Sequence, residues 1–436
     1  MVTPLRIGLA GLGNVGGGVV KILAQNADLV AKRAGRPIVV TAVSARDRSR
    51  DRGVSLDGIA WVDDAAELAT RDDVDVVVEL IGGSDGPALT LARRTLKANK
   101  PLVTANKAML AHHGLELAQA AETAGLPLKY EAAVAGGIPV IKGLAEGAAA
   151  NRITRVYGLM NGTCNYILSR MEAEGLDFAD VLADAQALGF AEADPSFDID
   201  GIDTAHKLSI LAALAFGARI DFAGVAAHGI RAIESADIAQ AAALGFRIKL
   251  VGLAEAEDGQ LFQRVHPALV PIDHPIATTM GSLNAVVVEG DFVGRLFFQG
   301  RGAGEGPTAS AVVADLVDIA RGDVRPPFVM PVAELAALPR APAADRRGRY
   351  YLRLSVADRA GVLAELTAAL RDCGVSIESL VQRGTSAGGD GDGDSDAMVV
   401  MVTHEAREAD VLDSLARMAA SPSVIGQPVM MHILDF

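Results

Sequence analysis

Residues 6–16 read Arg6-Ile7-Gly8-Leu9-Ala10-Gly11-Leu12-Gly13-Asn14-Val15-Gly16, a short apolar run closed by G-x-G-x-x-G. The glycine pattern alone is common. Its weight here comes from its setting, after a strand at 6–10 and at the start of a helical run at 16–24. In that setting Gly11 permits the tight turn and Gly13 lets the backbone approach a pyrophosphate, while Gly16 brings helix and strand together. Asn14 and Val15 open the helix, where free N–H groups receive the negative charge.

Working outward, β-branched runs at 38–44, 74–79, 101–104 and 128–131 alternate with helix-length segments such as 89–98 and 114–124. That alternation predicts a parallel α/β sheet over the first third of the chain. The second strand should end beside the adenosine ribose. Ser44-Ala45-Arg46-Asp47-Arg48 stands there. Arg46, with Arg48 near it, suits a 2′-phosphate and favours NADP, while Asp47 keeps NAD open.

From about residue 135 the pattern turns to longer polar loops and a helix-rich middle, with strands at 286–289 and 295–298 and a helix at 308–320. Residues 338–347, rich in Ala, Pro and Arg, suggest an interdomain linker. Beyond them the order is strand 349–356, helix 361–373, strands 375–381 and 397–402, helix 406–419 and strand 429–434. This β-α-β-β-α-β order is that of a ferredoxin-like domain. Residues 388–396 resemble a calcium loop superficially. Ser395 stands where that loop requires glycine and Met401 where it requires glutamate, so a hairpin loop is expected.

The chain has 436 residues, 50% hydrophobic and 22% charged, enough for two or three packed domains. Its formal net charge of -14 argues against nucleic acid as a partner. No apolar stretch reaches the roughly 20 residues of a membrane span, and no secretory signal opens the sequence. The two cysteines, Cys164 and Cys373, form neither a disulfide framework nor a zinc pattern. A cytoplasmic protein is expected.

Two segments concentrate groups able to do chemistry. Val103-Thr104-Ala105-Asn106-Lys107 ends a predicted strand, where open α/β sheets bind ligands. Glu192-Ala193-Asp194-Pro195-Ser196-Phe197-Asp198-Ile199-Asp200-Gly201-Ile202-Asp203-Thr204-Ala205-His206-Lys207 gathers carboxylates before an apolar helix at 204–216. Asp203 is expected as its N-cap, one turn from Lys207. Oxidising an alcohol requires a group that takes the hydroxyl proton, and a partly desolvated lysine can do so. An ordinary helix start with an i,i+4 ion pair would show the same spacing. His206 points about 100° away from Lys207 and is expected to be structural.

Together with Thr104-Ala105-Asn106-Lys107, the segments 130–139 (YEAAVAGGIP), 161–167 (NGTCNYI) and 192–207 make the chain resemble homoserine dehydrogenase over about residues 5–320. The resemblance implies an N-terminal Rossmann domain over about 1–130, completed by about 300–335, and an α+β catalytic and dimerisation domain at 131–300. It also implies reversible NAD(P)H-dependent reduction of aspartate 4-semialdehyde to homoserine. Lys207 would be the acid/base and Lys107 a second active-site lysine. Glu192 and Asp203 would hold the substrate, and Gly162 would line its pocket. Ala105 and Gly304 would join Gly11, Gly13, Asn14, Val15, Gly16, Arg46 and Lys107 against the cofactor. Glu131, with the carbonyls of Val134, Gly136 and Ile138, matches a monovalent-cation site, sodium-like in its hard oxygens.

The unit at 349–436 resembles an ACT domain, which implies an amino-acid effector near 358–363. Threonine, the end product, is the expected feedback inhibitor, and a homodimer or homotetramer the expected assembly. Two readings stay beside this one: a dehydrogenase for another small amino acid or semialdehyde, and a non-catalytic NADP and amino-acid sensor. The presence of both Lys107 and Lys207 argues against the sensor. Cys164 is expected to pack rather than to serve redox chemistry.

Overall fold

Six short strands near the N-terminus are apolar on both faces, as a sheet covered by helices on two sides requires. In the computed structural model, which describes residues 2–384 and 396–435, they are β1 (Leu5–Ala10), β2 (Ile38–Ser44), β3 (Ala60–Val62), β4 (Val76–Glu79), β5 (Leu102–Thr104) and β6 (Leu128–Lys129). All pairs are parallel and the order is β3-β2-β1-β4-β5-β6. This is the doubly wound order, with its crevice where β1 and β4 diverge. The helix Glu305–Ala320 returns to this domain, and its Val312 and Leu316 share a core with Val19 and Leu23 of the helix Asn14–Gln25.

The second sheet is mostly antiparallel. Its first part contains β7 (Ile153–Leu159), β8 (Ala226–Ala227), β9 (Phe246–Glu257), β10 (Gln260–Pro271), β11 (Leu283–Gly290) and β12 (Gly294–Arg301), ordered β12-β11-β7-β9-β10 with the short β8 beside β10. β9 and β10 form a hairpin over twelve paired positions, closed by Asp258-Gly259 with φ of 50° and 73°. Two consecutive left-handed residues make the tight turn whose twist matches a hairpin. The helices Gly162–Glu174, Ile202–Phe216 and Ser235–Ala243 pack against this part of the sheet.

The C-terminal unit adds β13 (Arg347–Ala357), β14 (Ile377–Gly384), β15 (Asp396–Thr403), β16 (Ala406–Arg407) and β17 (Val424–Ile433). Its order, β17-β13-β15-β14, is ferredoxin-like, as expected. Alternation on β13 sends Leu352, Leu354 and Val356 to the core beneath the helices Val362–Asp372 and Glu408–Ala419. Tyr351 and Arg353 point the other way and meet Asp237 of the helix Ser235–Ala243.

Several expectations need correction. The C-terminal sheet is not a separate sheet, because β17 pairs in parallel with β10 at Ala268–His432 and Leu269–Ile433. Residues 338–347 are not a free tether: Ala341 N donates to Leu261 O, and Arg340 binds Asp221. The helix expected at 204–216 starts at Ile202, and its N-cap is Gly201 rather than Asp203. Gly201 has φ of 85°, a left-handed conformation that a side chain resists, so Asp203 is carried into the first turn. Glu131 leaves the sixth strand, which ends at Lys129, for a single 3-10 turn. The segment read as calcium-loop-like lies largely outside the described residues.

Candidate active site

The turn after β1 is built on steric necessity. Gly11 has φ of 98°, and a Cβ there would stand 2.5 Å from Leu80 O. A Cβ on Gly16 would stand 2.1 Å from Gly11 O. At Gly13 a Cβ would meet nothing within 4 Å, so the backbone there faces open space. The following helix has no side-chain cap and no acid in its first turn, which leaves its N–H groups free to receive an anion. These residues fit a dinucleotide pyrophosphate.

Beyond β2, Asp47 folds its carboxylate back onto Ser49, accepting from its N at 2.8 Å and from its Oγ at 2.7 Å. Arg46, Arg48 and Arg50 are exposed around it. Arg52 donates from Nε to Leu12 O at 3.0 Å and ties this loop to the glycine turn.

A cavity of about 300 Å³ opens at the strand ends. It brings Val15, Ala105, Lys107, Gly136, Lys207 and Gly304 together from five separate stretches of chain. Glu79, fully buried at the end of β4, shapes its wall: its Oε1 accepts from Ile81 N at 2.7 Å and its Oε2 from Thr104 Oγ at 2.6 Å. Gly304, with φ of 112°, caps the helix Glu305–Ala320, so a second uncapped helix start faces the cavity.

Lys107 is the first residue of the helix Lys107–Ala124, whose N-cap is Asn106. Its Nζ lies 3.1 Å from Asp203 Oδ1, while Lys207 Nζ donates to Asp203 Oδ2 at 2.7 Å and to Met160 O at 2.7 Å. Asn161 Nδ2 donates to Asp203 Oδ2 at 2.9 Å and to Asp198 Oδ1 at 2.7 Å. The lysines are pushed in opposite directions. Asp203 raises Lys107, whereas burial lowers Lys207, with the Lys107 charge acting in the same sense. Burial would raise Asp203, but the two ammonium groups overcome it and hold its carboxyl well below the ordinary range. Of the two, Lys207 is therefore the one that gives up its proton more readily.

Other residues singled out in the sequence lie elsewhere. Glu192 is exposed outside the cavity lining, although its charge adds to the raising of Lys107. Gly162 also lies outside that lining, and a Cβ there would stand 2.8 Å from Ser282 O. His206 is buried beside His112, Phe222 and Phe197 and is pushed down to about 4 by burial and His112, which makes it a packing residue. Cys164 is buried and its thiol lies well above the usual range because of that burial, in keeping with packing. Asn161, Asp198 and Glu79 escaped sequence reasoning as individual residues. Glu79 had one signal, an acid ending a run of valines.

The chain matches a family model described as Homoserine dehydrogenase over residues 139–317, and one described as Homoserine dehydrogenase, NAD binding domain, over residues 11–131. It is 43% identical to the homoserine dehydrogenase of Pseudomonas aeruginosa, covering 99% of each chain. The chain belongs to the homoserine dehydrogenase family. A homoserine dehydrogenase of Mycobacterium tuberculosis is 44% identical over 97% of each chain. The crystal structure of a homoserine dehydrogenase from Thiobacillus denitrificans superposes with a TM-score of 0.92 at 41% identity, covering 99% of each chain. Residues 350–420 match the ACT domain. The protein is thus a nicotinamide-dependent oxidoreductase, a homoserine dehydrogenase with nucleotide-binding, catalytic and ACT domains. Among the described residues no helix is long and apolar enough to cross a membrane.

Proposed function

We propose that Lys207 is the proton carrier in the reversible conversion of homoserine and aspartate 4-semialdehyde. The observation that carries this reading is the buried Lys207 ammonium, held by Asp203 and Met160 O in the wall of the strand-end cavity. A bound nicotinamide supplies the hydride acceptor, or the donor in reverse. As the C–H bond gives up its hydride, the neutral Lys207 amine takes the hydroxyl proton. In the other direction the Lys207 ammonium returns that proton to the aldehyde oxygen. Lys107 keeps its charge and orients the substrate oxygen or carboxylate. Asp203 acts through the two lysines, and Glu192 remains for the substrate ammonium. The test is initial rate with L-homoserine and NADP for the parent and Lys207→Ala. A loss of about a hundredfold or more supports the assignment. A variant that turns over at the parent's rate overturns it.

The finer assignments rest on the same frame. NADP is the preferred cofactor, supported by the exposed Arg46 and by the turning of Asp47 onto Ser49. Glu131, with the carbonyls of Val134, Gly136 and Ile138, holds a monovalent cation such as sodium. Glu131 is 3% exposed and is pushed up to about 7 by burial and by Asp315. Between Val134 and Ile138 the chain takes two consecutive left-handed residues, Ala135 at 58° and Gly136 at 53°. A cation there would add to the backbone N–H groups of Ile141 and Lys142, which already donate to the buried Glu131 carboxylate at 3.0 and 2.9 Å.

The units 1–130 with 300–335, 131–300 and 349–436 serve as nucleotide, catalytic and regulatory domains of a cytoplasmic homodimer or homotetramer in threonine and methionine formation. Threonine is the effector at 358–363. Kinetics unchanged at saturating threonine would sink that part alone.

A further inference from the structure

Outside the active site, a cavity of about 280 Å³ lies at the seam where β10 of the catalytic sheet meets β13 and β17. Most charges around it are spent on one another. Arg155 and Arg346 bind Glu255, Arg347 binds Glu405, and Arg349 binds Glu378. The deep lining is different. Arg264 is 4% exposed; its terminal nitrogens grip Glu408 at 2.9 and 2.8 Å, but its Nε has no partner among the described residues. His266, 5% exposed, has no partner at either ring nitrogen.

A guanidinium Nε–H can only donate, and an imidazole always carries at least one N–H. Buried donors cost stability until an acceptor meets them. Among the described residues the carboxylates at the seam already hold arginines, so the missing acceptor is sought outside them. We propose that this seam cavity binds a small oxyanion, a carboxylate or a phosphate, that accepts from Arg264 Nε and His266.

The site is separate from the effector segment 358–363. The cavity uses the start of β13 at Gly348 and Arg349, whereas 358–363 follows the far end of that strand at Ala357. Its position also ties it to the chemistry. Val265, between the two donors on β10, faces the opposite side, where its Cγ1 lies 3.0 Å from the point a Cβ on Gly201 would occupy. Gly201 caps the helix that carries Asp203 and Lys207. An anion in the seam braces the strand that separates the C-terminal domain from the catalytic helix.

The experiment is titration calorimetry of the full-length protein saturated with NADP, which fills the pyrophosphate site, using inorganic phosphate and sodium acetate as probes. Saturable binding of at least one probe is expected, weakened tenfold or more in His266→Leu, with the basal rate unchanged. Binding of phosphate alone or of acetate alone identifies the ligand class. If His266→Leu does not fold, Gly348→Val, which narrows the cavity from a partly exposed strand start, takes its place with the same expectation. No saturable binding of either probe, or binding undiminished in the folded variant, overturns the proposal.

Discussion

Lys207 donates to Asp203 from one turn further along the same helix, Nζ to Oδ2 at 2.7 Å, with both side chains buried. The contact sets the protonation of the pair. Burial lowers Lys207, and Asp203 is the main influence working against that fall. Replacing Asp203 by Asn removes the carboxylate and lets the lysine fall further. With Lys207 as the proposed proton acceptor, oxidation of homoserine needs its neutral form, so the rising limb of the pH–rate profile should move to lower pH in Asp203→Asn. The maximal rate should drop about a hundredfold as the amine loses its anchor. A pH series of kcat for parent and variant checks both. A limb that stays in place while the rate falls would show Asp203 acting on the substrate rather than on Lys207.

The buried carboxylates near residue 131 give a stability signature. Glu131 and Asp315 are pushed up to about 7 and about 6, above the ordinary carboxylate range. A group whose folded pKa is raised keeps its proton in the native state while the unfolded chain releases it. Its contribution is complete below the unfolded pKa and is lost as pH rises through the folded value. Stability without a bound cation should therefore decline between about pH 4 and pH 7. The sodium ion proposed at Glu131 would oppose that decline. Thermal melts in sodium chloride against choline chloride should differ more at pH 7.5 than at pH 5.5, and Glu131→Gln should remove the difference. Equal effects of the two salts in the parent would dismiss the cation site.

The proposed preference for NADP rests on Arg46. Asp47, the acid expected to compete for NAD, points at Ser49. Arg46→Ala should raise KM for NADP about tenfold or more, in line with the loss of one charge-assisted hydrogen bond, and leave KM for NAD nearly unchanged. Paired rate measurements with the two cofactors decide it. An equal effect on both would move the 2′-phosphate contact to Arg48 or Arg50.

These sites differ in how far the sequence revealed them. The glycine turn was legible because each glycine answers a local demand, and the same holds for the i,i+4 pair of Asp203 and Lys207. Asn161 was not legible as a residue. Its role depends on a loop 42 positions from Asp203 folding beside it, and spacing carries no trace of that. The strands Phe246–Glu257 and Gln260–Pro271 went unread although Asp258-Gly259, a strong hairpin signal, stands between them. The alternation of Phe246-Arg247-Ile248-Lys249-Leu250 gives way to a continuous run at 250–254, and 260–271 keeps no regular period. The junction of β10 with β17 was hidden for another reason. It joins residues more than 160 positions apart by only two paired positions, and neither strand advertises a partner.

That junction leads to a test of how the C-terminal domain is held. Asp237 is fully buried; its Oδ1 accepts from Arg353 Nε at 2.7 Å and from Tyr351 Oη at 3.0 Å. Its other oxygen accepts from Glu234 N at 3.0 Å, which closes the capping box of the helix Ser235–Ala243. Asp237→Ala would leave Arg353 buried with only the exposed Glu234 as a partner, and should cost about 3–5 kcal/mol. Arg353→Met with Asp237→Leu removes both charges at once and should recover much of that loss, because a buried pair contributes less than either partner costs when stranded. Denaturant melts of the parent, the single variant and the double variant measure it. If the single variant is as stable as the parent, water reaches Arg353 and the interface is looser than these distances imply.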